Sequence, residues 1–162
     1  MGSGACPFPF AHVLTDLYVN DNSHRLGSKI KLNGTPFVCC DSHFLPFQEK
    51  VFDYVHCAHV LEHLVNPNAA FVELKRVGKI VDVITPSWIR EDIFCSDPYH
   101  KWIFMKRNGR IFVRKPRKGK NFKLYKPYFF QIFTKFEYIL NKISPIFIFE
   151  LRIDLEQDFS SS

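Results

Sequence analysis

Three short runs constrain this chain more than anything else in it. "FVCCD" (37–41), "FDYVHCAHV" (52–60) and "KIVDVITP" (79–86) are almost continuously apolar. A strand-length run without polar alternation has two faces to bury, and parallel strands in an α/β sheet have that property. A fourth run, "HVLTDLY" (12–18), has the same β-rich composition. The four are expected to share one buried sheet.

Between the last two runs lies the strongest helix signal. Asn66 is a good N-cap, Pro67 falls at the first helical position where its missing N–H costs nothing, and Ala70, Phe71, Leu74 and Val77 recur at three- and four-residue intervals. Gly78 is expected to end it. Strand, helix, strand in that order predicts a right-handed βαβ unit.

Beyond residue 86 the character changes. In "WIFMKRNGRIFVRK", Asn108-Gly109 between two β-rich runs predicts a hairpin. Residues 127–142 have helical spacing, with Phe129, Ile132, Phe133, Phe136 and Leu140 on one side, and "IFIFELRID" (146–154) reads as a last strand. One domain over residues 1–155 is expected, with 156–162 a disordered tail.

Eighteen Phe are concentrated in the second half, yet Gln131, Lys135, Glu137 and Lys142 interrupt the apolar runs. No stretch reaches the ~18–20 residues that a membrane span needs, and no basic-then-apolar leader is visible. Five cysteines, an odd number without a C-x-x-C pair, suggest reduced thiols and a cytoplasmic setting. Adjacent Cys39 and Cys40 point to opposite faces of a strand and make a poor chelate, so they are read as buried small hydrophobes. The net charge of +6 is concentrated in "RKPRKGKNFKLYK" (114–126), with seven Lys/Arg and no acid. That stretch is either a solvated loop or a surface for an anionic partner such as nucleic acid or a phospholipid surface.

In an open parallel sheet, ligands gather at the carboxyl ends of the strands. Gly2-Ser3-Gly4 is a turn whose bare backbone can approach an anionic group. Asp16 stands near the end of the first run, suited to ribose hydroxyls, and Asp41 ends the second, suited to an exocyclic amine. Either acid alone could equally cap a turn.

His59-Val60-Leu61-Glu62-His63 has the order H-x-x-E-H of a class of zinc peptidases. That chemistry needs both histidines on one helix face, whereas His59 is expected to close a strand, with a third ligand only far downstream at Glu137 or Glu150. The zinc peptidase is therefore a remote alternative, and no metal is expected. Glu62 and His63 either hold backbone at the turn or face a substrate.

"GSGACPFP", "VLTDLY", "CDSHFLPFQEKVFDYVHCAHVLEHLVNP", "ELKRVGKIVDVITPS" and "HKWIF", in this order, resemble the class I S-adenosylmethionine-dependent methyltransferases of the methyltransferase type 11 group. The resemblance covers about residues 2–105. It implies a Rossmann-like, mostly parallel α/β sheet with S-adenosylmethionine as cofactor and an unidentified methyl acceptor. It assigns the methionine end of the cofactor to Gly2, Ser3 and Gly4, the ribose to Asp16, adenine to Asp41 and Ser42, and the neighbourhood of the sulfonium to Cys57. It places His59 and His63 at the strand-to-helix turn facing the acceptor; His100 and Trp102 of "HKW" either line the acceptor pocket or pack the hairpin.

Where the family has a buried strand leading into the glycine turn, this sequence has only Met1. The runs at 12–18 and 52–60 are therefore expected to lack their shared neighbour. The seven residues between Gly4 and His12 are too few for a crossover helix. The alternative function is a noncatalytic relative that binds nucleic acid or a membrane surface through its basic and aromatic C-terminal third.

Overall fold

The structure, a computed structural model, describes residues 1–25, 27–88, 91, 99–107, 110–116, 150–153 and 159–161. Each apolar run of the first half becomes a strand. β1 (Leu14–Asp16) pairs in parallel with β2 (Phe37–Cys39), Leu14 opposite Phe37 and Asp16 opposite Cys39. β3 (Phe52–Ala58) pairs in parallel with β4 (Gly78–Pro86), and α1 (Pro67–Val77) forms the connection between them.

The helix starts and stops where local chemistry dictates. Asn66 accepts a hydrogen bond from Ala69 N through its side chain, which satisfies one of the orphan amides of the first turn. Ala70, Phe71, Leu74 and Val77 are buried against Val55, Cys57, Val81 and Val83 in one core cluster. Removing side chains of this size from water stabilises by roughly 1.5–3 kcal/mol each. Gly78 ends the helix, but not in the left-handed conformation that such glycines usually adopt: its φ is −104° and it opens β4 directly. Its smallness serves packing instead, because a Cβ there would stand 2.7 Å from Val55 Cγ2 and 3.0 Å from Val81 Cγ2.

β7 (Glu150–Ile153) lies antiparallel on the other edge of β4, within the stretch expected as the last strand. β5 (Ile103–Arg107) and β6 (Arg110–Arg114) form the expected antiparallel hairpin. Its Asn108-Gly109 turn, the helix expected at 127–142 and residues 117–126 of the basic stretch lie outside the described residues. Phe159–Ser161, in the tail expected to be disordered, pairs in parallel with β6 as β8. The arrangement is the Rossmann-like, mostly parallel α/β fold that the sequence implies.

β1 and β3 do not pair with each other: β1–β2 and β3–β4–β7 are separate sheets. Met1 to Ser3 spans the gap at one end only. Met1 N donates to the His56 carbonyl at 2.7 Å on one side, and Ser3 N donates to the Thr15 carbonyl at 3.0 Å on the other. Below that bridge a cavity of about 480 Å³ opens, lined among others by Phe8, Val13, Thr15, Tyr54 and His56. Residues 5–13 make only turns, as expected of so short a connection.

Two expectations about burial are corrected. The run at 52–60 is expected to be covered on both faces, but β3 is buried at Val55 and Cys57 under α1 while Tyr54 is exposed and His56 half-buried on the opposite face; β4, by contrast, is buried on both faces from Val81 to Val83. Phe8 stacks there on His56, with ring centroids 4.6 Å apart. The short connection before β1 supplies no helix to cover that side. Cys39, read as a buried small hydrophobe, is exposed and Cys40 only half-buried, because β2 is an edge strand with a single neighbour.

Candidate functional site

The glycine bend and the two strand-end acids meet on one rim. Gly2 and Gly4 both have positive φ, 61° and 49°, a region that L side chains avoid. At Gly2 a Cβ would also overlap the Val60 side chain, so the bend sits tightly on the turn after β3. Gly4 N donates to Asp16 Oδ2 at 3.0 Å, and Tyr18 N donates to Asp16 Oδ1 at 3.1 Å. Asp16 thus staples the bend to the end of β1. Ser3, buried, exchanges hydrogen bonds with the Thr15 backbone.

Asp41 stands just past the end of β2, on the same rim, since Cys40 N donates to the Asp16 carbonyl at 3.1 Å. Its Oδ1 accepts from His43 N at 2.9 Å and lies 2.6 Å from His43 Nδ1. The His43 amide, more than any other influence, holds the Asp41 carboxyl below its usual range. His43 Nε2 accepts from Asn66 N at 3.4 Å, so Nδ1 carries the ring proton and donates it to Asp41. Ser42 beside it is buried.

Cys57 does not fit the role that the resemblance assigns to it. Its side chain is fully buried in the core under α1, and burial pushes the thiol up to about 12. It is a neutral core residue. Trp102 is likewise tied into the scaffold, its indole Nε1 donating to the Leu64 carbonyl at 2.9 Å while the ring packs on the core.

The turn after β3 gathers the histidines. His59 closes the strand with φ 55°, and Leu61–His63 is a single 3₁₀ turn, so the two histidines of "HVLEH" do not share an α-helical face. Glu62 is buried, and its carbonyl accepts from Lys101 N at 2.7 Å and Trp102 N at 3.3 Å. This clamps residues 99–102 onto the turn and brings His100 within 4.7 Å of His63, ring centroid to ring centroid. His100 Nδ1 lies 2.8 Å from Glu91 Oε1.

Of the residues singled out from sequence, Gly2, Ser3, Gly4, Asp16, Asp41 and Ser42 form the rim, and His59, His63 and His100 form a second group one turn away. Arg25, His43 and Glu91 were missed. Arg25 lies 3.7 Å from Asp16 and binds the carbonyls of Tyr18, Val19 and Asp21, knotting the loop behind the acid. Nothing in the sequence marks Arg25 or Glu91. Asp41-x-His43 could have been found, because an Asp commonly accepts from the amide two residues on.

Residues 1–80 match the model of a family described as "Methyltransferase domain". An uncharacterized methyltransferase of Schizosaccharomyces pombe is 47% identical over 51 residues, which are 32% of this chain and 18% of that protein. The match thus spans under a fifth of the relative. Two crystal structures are similar. PH0226 protein from Pyrococcus horikoshii OT3 is 19% identical over 59% of this chain and 51% of its own, with TM-score 0.42. The cyclase SpnF is 22% identical over 44% of this chain and 29% of its own, with TM-score 0.34. At those scores the two structures add nothing to the assignment. Residues 1–80 are thus similar to a methyltransferase domain.

Proposed function

We propose that the rim holds S-adenosylmethionine and that the chain transfers its methyl group to an acceptor on the histidine side. The observation that carries this reading is the Gly4 N to Asp16 Oδ2 hydrogen bond of 3.0 Å, with Asp41 next along the same edge. The donor set suits the group. Asp16 and Asp41 offer carboxylate acceptors at the ends of adjacent parallel strands, for ribose hydroxyls and an exocyclic amine, and the bend at Gly2–Gly4 lets backbone come close.

When bound, the cofactor supplies an electrophilic methyl on a sulfonium. The protein's work is to hold the acceptor in line and keep water away. His43 keeps Asp41 ionised and fixed, and Asp16 keeps the bend in place. A histidine among His59, His63 and His100 can take a proton from a hydroxyl acceptor.

Calorimetric titration with S-adenosylhomocysteine tests the reading. Heat of binding that Asp41→Ala removes, with unchanged circular dichroism, supports it. A folded protein that takes up no S-adenosylhomocysteine overturns it.

A further inference from the structure

We propose that Glu62, His63 and His100 form a binding site for one divalent first-row transition metal ion, zinc being the best match. One ligand atom from each lies within 4.8 Å of the other two. Metal–ligand bonds of about 2.0–2.2 Å put tetrahedral donors roughly 3.4 Å apart, so side-chain adjustments of about an ångström close the set.

A cluster of this kind could be a structural network, and Glu62 argues against that. Its side chain is 1% exposed, and among the described residues neither carboxylate oxygen has a hydrogen-bond partner. A buried carboxylate without a donor is costly, and a bound cation offsets that cost directly. His59 Nδ1, at 3.5 Å from Glu62 Oε1, is the nearest cationic candidate, but its ring is partly exposed at the edge of the group. The main chain holds Glu62 in this position through the two amides of residues 101 and 102.

Neighbouring groups orient both histidines. His100 Nδ1 is 2.8 Å from Glu91 Oε1, and His63 Nδ1 is 3.4 Å from the Tyr99 carbonyl. A carboxylate behind a ligating imidazole is the usual support of a metal-bound histidine, which makes Glu91 a positioning residue. Glu91 is itself buried.

The donor types narrow the ion. Two imidazoles and one carboxylate suit Zn²⁺ and its neighbours, whereas Mg²⁺ and Ca²⁺ prefer all-oxygen shells. Three protein ligands leave a position open, the pattern of zinc sites that also bind water or substrate. The metal site stands independently of the methyltransferase reading.

The test uses the full chain freed of metal by chelation. Zn²⁺ is titrated calorimetrically, Co²⁺ is followed by its visible absorption, and S-adenosylhomocysteine binding is measured in parallel. One equivalent of Zn²⁺ is expected, with a tetrahedral or five-coordinate Co²⁺ spectrum. Glu62→Gln and His100→Ala should each weaken Zn²⁺ binding at least about 100-fold, and Glu91→Gln about 10-fold. The double substitution Cys6→Ser with Cys39→Ser, which removes two exposed thiols, should leave it unchanged. The proposal is overturned if the wild-type chain takes up no Zn²⁺, or if binding survives in a folded Glu62→Gln/His100→Ala variant. S-adenosylhomocysteine binding without metal uptake would sink this proposal and leave the cofactor reading standing.

Discussion

The two sides of β3 have opposite fates. Toward α1, Val55 and Cys57 enter a core whose members are almost all below a tenth exposed; toward β1, Tyr54 and His56 line a cavity of about 480 Å³ at whose end Met1–Ser3 links β3 to β1. The same strand therefore belongs to a finished half of a sheet and to an unfinished one. Local sequence accounts for the first half, because helix and strands are contiguous and self-complementary. The second half depends on isolated tethers: Ser3 to Thr15, Asp16 to Gly4, and Asp41 through His43 to Asn66. Stability should be distributed accordingly, with β3–α1–β4 opening last.

The contrast is sharpest for deletion of one large side chain on each side. Leu74→Ala, in a fully buried position, should cost about 2–5 kcal/mol in urea unfolding, and Phe8→Ala, which loses a ring contact on the gap side, about 0.5–1.5. Equal costs would erase the distinction. Next comes Gly78→Ala. The added methyl would press on Val55 and Val81 across β3 and β4, at about 1–3 kcal/mol, whereas Gly34, with open space around it, owes its constraint only to a φ of 78°. Should Gly78→Ala prove neutral, the core there is looser than the geometry says.

Asn66→Ala removes the cap from Ala69 N and should lower stability by about 1 kcal/mol, measurable as a reduced melting temperature. The smallest effect concerns pH. The Asp41 carboxyl is held below its usual range, chiefly by the His43 amide, so its contribution is complete above the unfolded carboxyl's pKa and is lost as pH falls through the lower folded value. Acid titration of the wild-type chain should show that loss in the acid limb, and Asp41→Asn should flatten it by lowering the neutral plateau while leaving the acid end little changed. An identical acid limb in the variant would show that the tether carries no linkage.

These outcomes bear on how much could be read before folding. All four strands of the first half and the helix with its Asn66 cap are written in runs of adjacent residues, since apolar continuity and capping are properties of neighbours. So is the glycine bend, and so are the acids at the strand ends. What failed were statements about surroundings. Cys39 is exposed because β2 has one neighbour among the described residues, and Cys57 is buried in the core under α1 because side chains alternate along β3. His100 lies 37 positions beyond His63, and no spacing rule joins them. Two amides reaching the Glu62 carbonyl do.

The order of residues alone decided the class of fold and the βαβ unit, because these follow from hydrophobic period and short-range chemistry. Tertiary structure alone decided that Gly4, Asp16 and Asp41 share an edge and that Glu62 is buried between His63 and His100. It also decided that among the described residues β3 is covered by α1 on one face and lines a cavity on the other, since contact between distant segments is set by how the chain packs in three dimensions.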